Sequence, residues 1–209
     1  MKTKLSKKRA ISTVLTTVII LVASVVLGSG VVLYGTSLFQ GSTQTEAISV
    51  SNTKIWVHSS ATEGLAWGAA GVRNTGDKIL SVDKITIRGF DIPFAQWYAD
   101  TDVSAALYQQ VLNHSGWDDS VTSGFIFNNG GCSGGEALSF DLGAADDFCA
   151  DAATGPISLI PGQSAIIYFK LTNGTIISLD SGISTTIGIY AGRAGGPLST
   201  IVRDLSYEP

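Results

Sequence analysis

Histidine and cysteine are nearly absent from this chain, with two of each among 209 residues. His58 and His114 sit in no metal-ligand or nucleophile motif. Acid–base, zinc and triad chemistry therefore have too few participants. No glycine-rich loop follows a strand and opens a helix, so a phosphate cradle is lacking too. Cations are scarce, 13 Lys and Arg against 17 Asp and Glu, for a net charge of −4. Five of those cations (Lys2, Lys4, Lys7, Lys8 and Arg9) crowd the first ten residues, and without them the balance moves to −9. An acidic surface opposes nucleic-acid binding, which rests on neutralising phosphates. It suits a soluble extracellular exterior. These absences argue against an enzyme and against a cofactor or nucleic-acid partner.

What the sequence does have is one long apolar run. Residues 11–39, ISTVLTTVIILVASVVLGSGVVLYGTSLF, contain no charge and no proline. As a helix the run would extend about 43 Å at 1.5 Å per residue, enough to cross a bilayer. The cations before it predict a cytoplasmic amino terminus, with the rest of the chain outside. Three readings compete: a secretory signal, a permanent anchor, and a signal cut on the other side of the run. The first expects a shorter apolar core, about 7–15 residues, and a small-x-small cleavage site, which GTSLFQ does not offer. The third would cut where KKRA meets ISTV, removing the cations and leaving the helix as the new amino terminus.

On a helical wheel Thr13, Thr17, Ser24, Gly28 and Gly35 fall within a sector of about 60°. A stripe of small residues lets helix backbones approach closely. Small residues are also common in membrane helices generally, so the stripe has that plainer reading as well. The remaining circumference is Ile, Leu and Val, so such a helix outside lipid must be covered by copies of itself.

Lys8, Arg9 and Ala10 followed by Ile11, Ser12, Thr13 and Val14 resemble the amino-terminal signature of archaeal type IV pilins and archaellins, the archaeal flagellins. The likeness covers about the first forty residues. Ala10 stands where glycine is more usual, and Leu15 where bacterial pilins carry glutamate. The resemblance implies a leader, residues 1–10, removed by a prepilin peptidase between Ala10 and Ile11. It implies membrane insertion before assembly, extraction by an ATPase-driven platform, and a homopolymer packed through residues 11–40. It further implies an extracellular filament serving adhesion or motility. The alternative is a permanently anchored extracellular adhesin or binding protein.

The expected fold class is α+β: a long hydrophobic amino-terminal helix, a hinge at 41–46, and an Ig-like antiparallel β-sandwich head over 47–209. Alternating apolar residues predict strands in 47–58 with a break near Asn52, and in 80–87. Asn74-Thr75-Gly76-Asp77 between two strand patterns predicts a hairpin turn with glycine at positive φ. Val103, Ala106, Leu107, Gln110 and Val111 predict a helix capped by Thr101 or Asp102 and stopped at Gly116. Later strands are expected at 157–159, 165–171, 176–179, 185–191 and 198–202, with a turn at 192–197.

Residues 91–155 form an insertion, ending in a glycine-rich acidic excursion. It holds Cys132 and Cys149, which read as one disulfide in an oxidising setting; a metal site is the rival reading. Asn113 and Asn173 open glycosylation sequons, Asn-His-Ser and Asn-Gly-Thr. Asp118, Asp119, Asp146, Asp147 and Asp151 could offer oxygen ligands to Ca²⁺ but lack the spacing of a calcium loop; they read as a solvated acidic loop, and no metal site is assigned. His58 reads as a surface residue. Trp97 and Trp117 are candidate contact surfaces or, alternatively, packing over the sandwich edge.

Overall fold

Nothing in residues 6–42 breaks a helix, and the computed structural model carries one unbroken helix, α1 (Ser6–Ser42), through them. The structure describes residues 6–42, 45–58, 65–114, 116–117, 132, 138–140, 142 and 147–205. Its contacts divide the chain into two units, Met1–Gln44 and Thr45–Pro209.

The second unit is a β-rich head. In chain order it contains β1 (Ile48–His58), β2 (Ala66–Asn74), β3 (Leu80–Ile87), β4 (Phe90–Asp91) and β5 (Trp97–Asp100). A short helix α2 (Ala105–Tyr108) follows, then β6 (Leu138–Phe140), β7 (Phe148–Ala152) and β8 (Ile157–Leu159). The series ends with β9 (Ser164–Lys170), β10 (Ser184–Ala191) and β11 (Ala194–Leu205). They form one large mixed sheet in the order β4-β3-β10-β11-β1-β2-β9-β5-β7-β6, with β8 also on β3.

The expectation of a purely antiparallel head needs one correction: β1 and β11 run parallel, Ile55 opposite Val202. β11 first pairs antiparallel with β10 as far as Ile201, and its last residues then lie alongside β1. One strand thereby joins the two halves of the sheet. Their apolar faces meet in a core that includes Ile55 and Val57 of β1, Ile85 and Ile87 of β3, Ile167 and Phe169 of β9, and Ile187 and Ile189 of β10.

Period-two alternation sends the intervening residues of β1, β2 and β9 to the opposite face. There Trp56, Trp67, Ala69, Ile166 and Tyr168 build a second apolar cluster with Leu107, Leu112, Trp117, Leu138, Leu142 and Phe148. Residues after β5 thus form an outer layer on the sheet. This explains why β2 and β9 read as nearly continuous apolar runs: they are buried on both faces.

The 74–77 turn is where the sequence reading fails most clearly. β2 pairs with β1 and β9, β3 with β10, β4 and β8, and no pairing joins β2 to β3 among the described residues. The turn is a corner between the two halves of the sheet. Gly76 does not have positive φ. Its role is close approach: a Cβ there would fall on the Thr45 carbonyl oxygen and 2.9 Å from the Ala47 nitrogen. Thr75 and Gly76 N–H both donate to Ala47 O, at 2.9 and 3.1 Å, and Asp77 N–H donates to Thr45 O at 3.1 Å. Fully buried Asn74 ties the corner together: Nδ2 donates to the carbonyls of Lys78 and Leu159, and Oδ1 accepts from Gly76 N–H.

Other expectations need smaller corrections. The helix at 103–111 is only α2, capped by Ser104 Oγ accepting from Leu107 N–H, not by Thr101 or Asp102. One turn is too short to persist without packing, and Leu107 and Leu112 take the chain into the second cluster instead. The strand at 176–179 is a 3₁₀ turn, Ser178–Asp180, whose Asp180 Oδ2 accepts from Ile177 N–H. The turn at 192–197 shrinks to two residues, since Ala191 and Ala194 are already paired. The break near Asn52 is present as a register shift between Ser51 and Lys54, with Asn52 at φ 53°.

Candidate functional site: the apolar helix and the outer layer of the head

Within α1, Thr13–Phe39 is a 27-residue span of mean hydropathy 2.4, long and apolar enough to cross a membrane or to act as a signal. None of it is buried within the chain. Sixteen large apolar side chains from Val14 to Phe39 are each more than half exposed. At roughly 1.5 kcal/mol or more for each such side chain, leaving them in water would cost on the order of 20 kcal/mol. The helix needs lipid or other protein around it.

Four of its hydroxyls bond back to the helix itself. Thr17 Oγ1 donates to Val14 O, Ser24 Oγ to Ile20 O, Ser29 Oγ to Val26 O and Thr36 Oγ1 to Leu33 O, all within 3.0 Å. Hydroxyls returned to the preceding turn present only carbon to an apolar environment. Thr17 and Ser24 line a shallow groove of about 480 Å³ with Ile20, Leu21 and Val25. A Cβ on Gly28 or Gly35 would meet nothing within 4 Å. The small-residue sector is therefore open along the helix from Thr13 to Gly35. Arg9, Ala10 and Ile11 lie on the helix backbone, with no break between them.

On the head, Cys132 and Cys149 form a disulfide with Cα atoms 5.9 Å apart. It ties the excursion to β7, and β7 to β5 through Tyr98 opposite Ala152. Buried Asp100 reinforces the same seam: Oδ2 accepts from Cys149 N–H at 3.1 Å and Oδ1 from Asp102 N–H at 2.9 Å. Burial raises the Asp100 pKa, opposed by these two N–H donors. Reduction of the disulfide should lower head stability by about 3 kcal/mol on the chain-entropy scale for a loop of this length. Urea unfolding with and without reductant measures the difference, and equal midpoints would contradict it.

The tryptophans are packing residues, not contact surfaces. Trp97 is fully buried in the main core, where its Nε1 donates to Ile92 O at 3.1 Å, and Trp117 is buried in the outer layer. His58 is buried as well, against the expectation of a surface residue, because the outer layer covers the end of β1. The imidazoles of His58 and His114 both lie on Trp117, with ring centroids 5.0 and 4.1 Å away. Trp56 approaches His114 at 5.7 Å and stacks on Tyr168 at 6.0 Å. Burial, with repulsion from His58, lowers the His114 pKa to about 3. Nothing in the local sequence of either histidine announces this cluster.

Arg88 was also invisible from sequence. At φ 52° it follows β3 and clamps the loop before β10. Its Nη1 and Nη2 hold Asp180 at 3.2 and 2.7 Å, Nη1 also donates to Thr175 O, and Nε donates to Thr185 Oγ1. Arg88 holds the Asp180 carboxyl below its ordinary pKa. That contribution is present above about pH 4 and is lost as pH falls through the lowered value.

Asn113 and Asn173 are both exposed, Asn173 beside Gly174 at φ 81°. Of the acidic loop residues, Asp118, Asp119 and Asp146 lie outside the described residues. Among the described residues no group of three His, Cys, Asp or Glu is placed to hold a metal ion. No family model matches the chain. A search of curated proteins gives no match either.

Proposed function

We propose that this chain is the structural subunit of an extracellular, archaeal type-IV-pilus-like filament, an adhesion pilus or an archaellum, polymerising through α1. One observation carries the reading: the 27-residue span Thr13–Phe39, of mean hydropathy 2.4, has none of its residues buried. A helix apolar all round must exchange one cover for another, lipid before assembly and sister helices afterwards. The basic leader and the Ala10–Ile11 junction resemble a prepilin signal and give the reading its family. The mixed sheet is read as an Ig-like sandwich forming the filament's outer surface. The disulfide fits an oxidising exterior, and Asn113 and Asn173 are open to glycan attachment.

Mature protein should begin at Ile11, as read by amino-terminal sequencing, and sheared cell-surface material should contain filaments of this chain by electron microscopy. Gly28→Leu and Gly35→Leu should cut filament yield at least tenfold while leaving membrane insertion intact, since they add bulk to the close-packing sector without adding polarity. An intact residue 1–9 segment on singly dispersed protein would instead support the permanently anchored adhesin.

A further inference from the structure

The chain's two histidines lie far apart in sequence, yet the fold sets both against one buried indole. His58 comes from the end of β1 and His114 from the segment after α2. His58 meets Trp117 edge-on at 79°, and His114 lies tilted over it at 33°. This is where the outer layer sits on the sheet. The same segment is fastened by Tyr168 Oη donating to Asn113 O at 2.7 Å and Asn52 Nδ2 donating to Gln110 O at 3.1 Å. Leu112 fills the cluster beneath it.

We propose that the His58–Trp117–His114 seat is an acid-operated latch, which releases residues 111–114 from the outer face of the sheet when the His114 imidazole is protonated. Neutral imidazoles pack among indoles without stranding a charge. An imidazolium there loses its hydration, and a second one repels the first. Attraction of a cation to an indole face works the other way. It is the weaker effect here, since the net shift of His114 is downward, to about 3. The described titratable groups on this face are His58 from β1, Arg203 from β11, opposite Trp56, and from β9 Lys170, opposite Trp67, and the Tyr168 phenol. Burial pushes that phenol well above its ordinary value, so it stays neutral throughout. Asp118 and Asp119 follow Trp117 in the sequence but lie outside the described residues, and they enter the test below.

Above about pH 6.5 seated and released forms bind the same protons, and the latch is insensitive to pH. Below it the released form holds one more proton on His114. The released-to-seated ratio then rises about tenfold per pH unit, levelling off below about pH 3 at about three-thousand-fold. The disulfide and the Asp100 seam lie outside the seat and keep β7 attached, so release is local. The latch does not depend on whether the chain polymerises.

The full chain in detergent micelles can be titrated from about pH 7.5 to about pH 3.5. Near-UV circular dichroism and acrylamide quenching report the tryptophans, and far-UV circular dichroism reports the sheet. The expected result is loss of tryptophan signal below pH 6.5 with the sheet retained. His114→Phe should flatten that transition, and His114→Gln should do so if the phenylalanine does not fit. D118N/D119N should leave it in place. A wild-type signal unchanged to the lowest pH would overturn the latch. So would a transition that survives His58→Phe with His114→Phe, or one abolished by D118N/D119N.

Discussion

Trp67→Ala should destabilise the head by about 3–5 kcal/mol, the range for emptying a fully buried indole site. Trp67 has no exposed surface and belongs to the second apolar cluster, on the face of β2 opposite the main core. It pairs with Lys170 across β9 and meets the Tyr98 ring at 5.5 Å. Its backbone neighbour explains why the surroundings cannot close the hole. Gly68 faces the other way, and the Phe169 ring occupies the space a Cβ would take. β2 is therefore fixed from both sides and cannot shift toward a vacated site. Leu179→Ala, at a side chain 82% exposed, should change stability by less than about 0.5 kcal/mol. Urea midpoints compare the two, and similar small effects would show that the outer layer is not a packed core.

Gly76→Val should be nearly as damaging, by roughly 3 kcal/mol. The cause is not strained φ but collision with the backbone of residues 45–47, which cannot rotate away as a side chain can. Those residues hold the first segment of the head through three backbone hydrogen bonds to Thr75, Gly76 and Asp77. A Thr45–Asp77 side-chain bond of 3.3 Å and a half-exposed Lys78–Glu46 ion pair of 3.7 Å add little. Any side chain at position 76 pushes that segment off the corner. Gly155→Ala is the control, since its Cβ would meet nothing within 4 Å and its φ is not positive. For a unit of this size the expected fall in Tm is about 6–12 °C for Gly76→Val and about zero for Gly155→Ala. Equal shifts would assign the effect to lost glycine flexibility rather than to crowding.

These two sites also mark the boundary of what sequence reading reaches. Apolar patterning, alternating in β1 and continuous in β9, located β1, β3, β9 and β10 to within a residue or two, and the polar break at Asn52 marked a real irregularity. Turn chemistry at Asn74-Thr75-Gly76-Asp77 was visible, but its partner was not. A local pattern specifies that the chain bends, not which strands lie on either side of the bend. Val103 to Val111 had helical spacing, yet the outer layer claimed Leu107 and Leu112, and tertiary packing outweighed a weak local preference.

By itself the sequence determined the unbroken apolar helix, because charge, proline and polarity are local properties that no distant contact can restore. It also limited the cysteines to one possible pairing, Cys132 with Cys149, which the structure shows as a disulfide. Only the tertiary structure decided that β2 and β3 part company at a corner, that β11 runs parallel to β1, and that both histidines share one tryptophan. Each of those depends on which residues distant in the chain meet, and burying two faces of one sheet selects that arrangement through the summed area of many contacts rather than through any single motif.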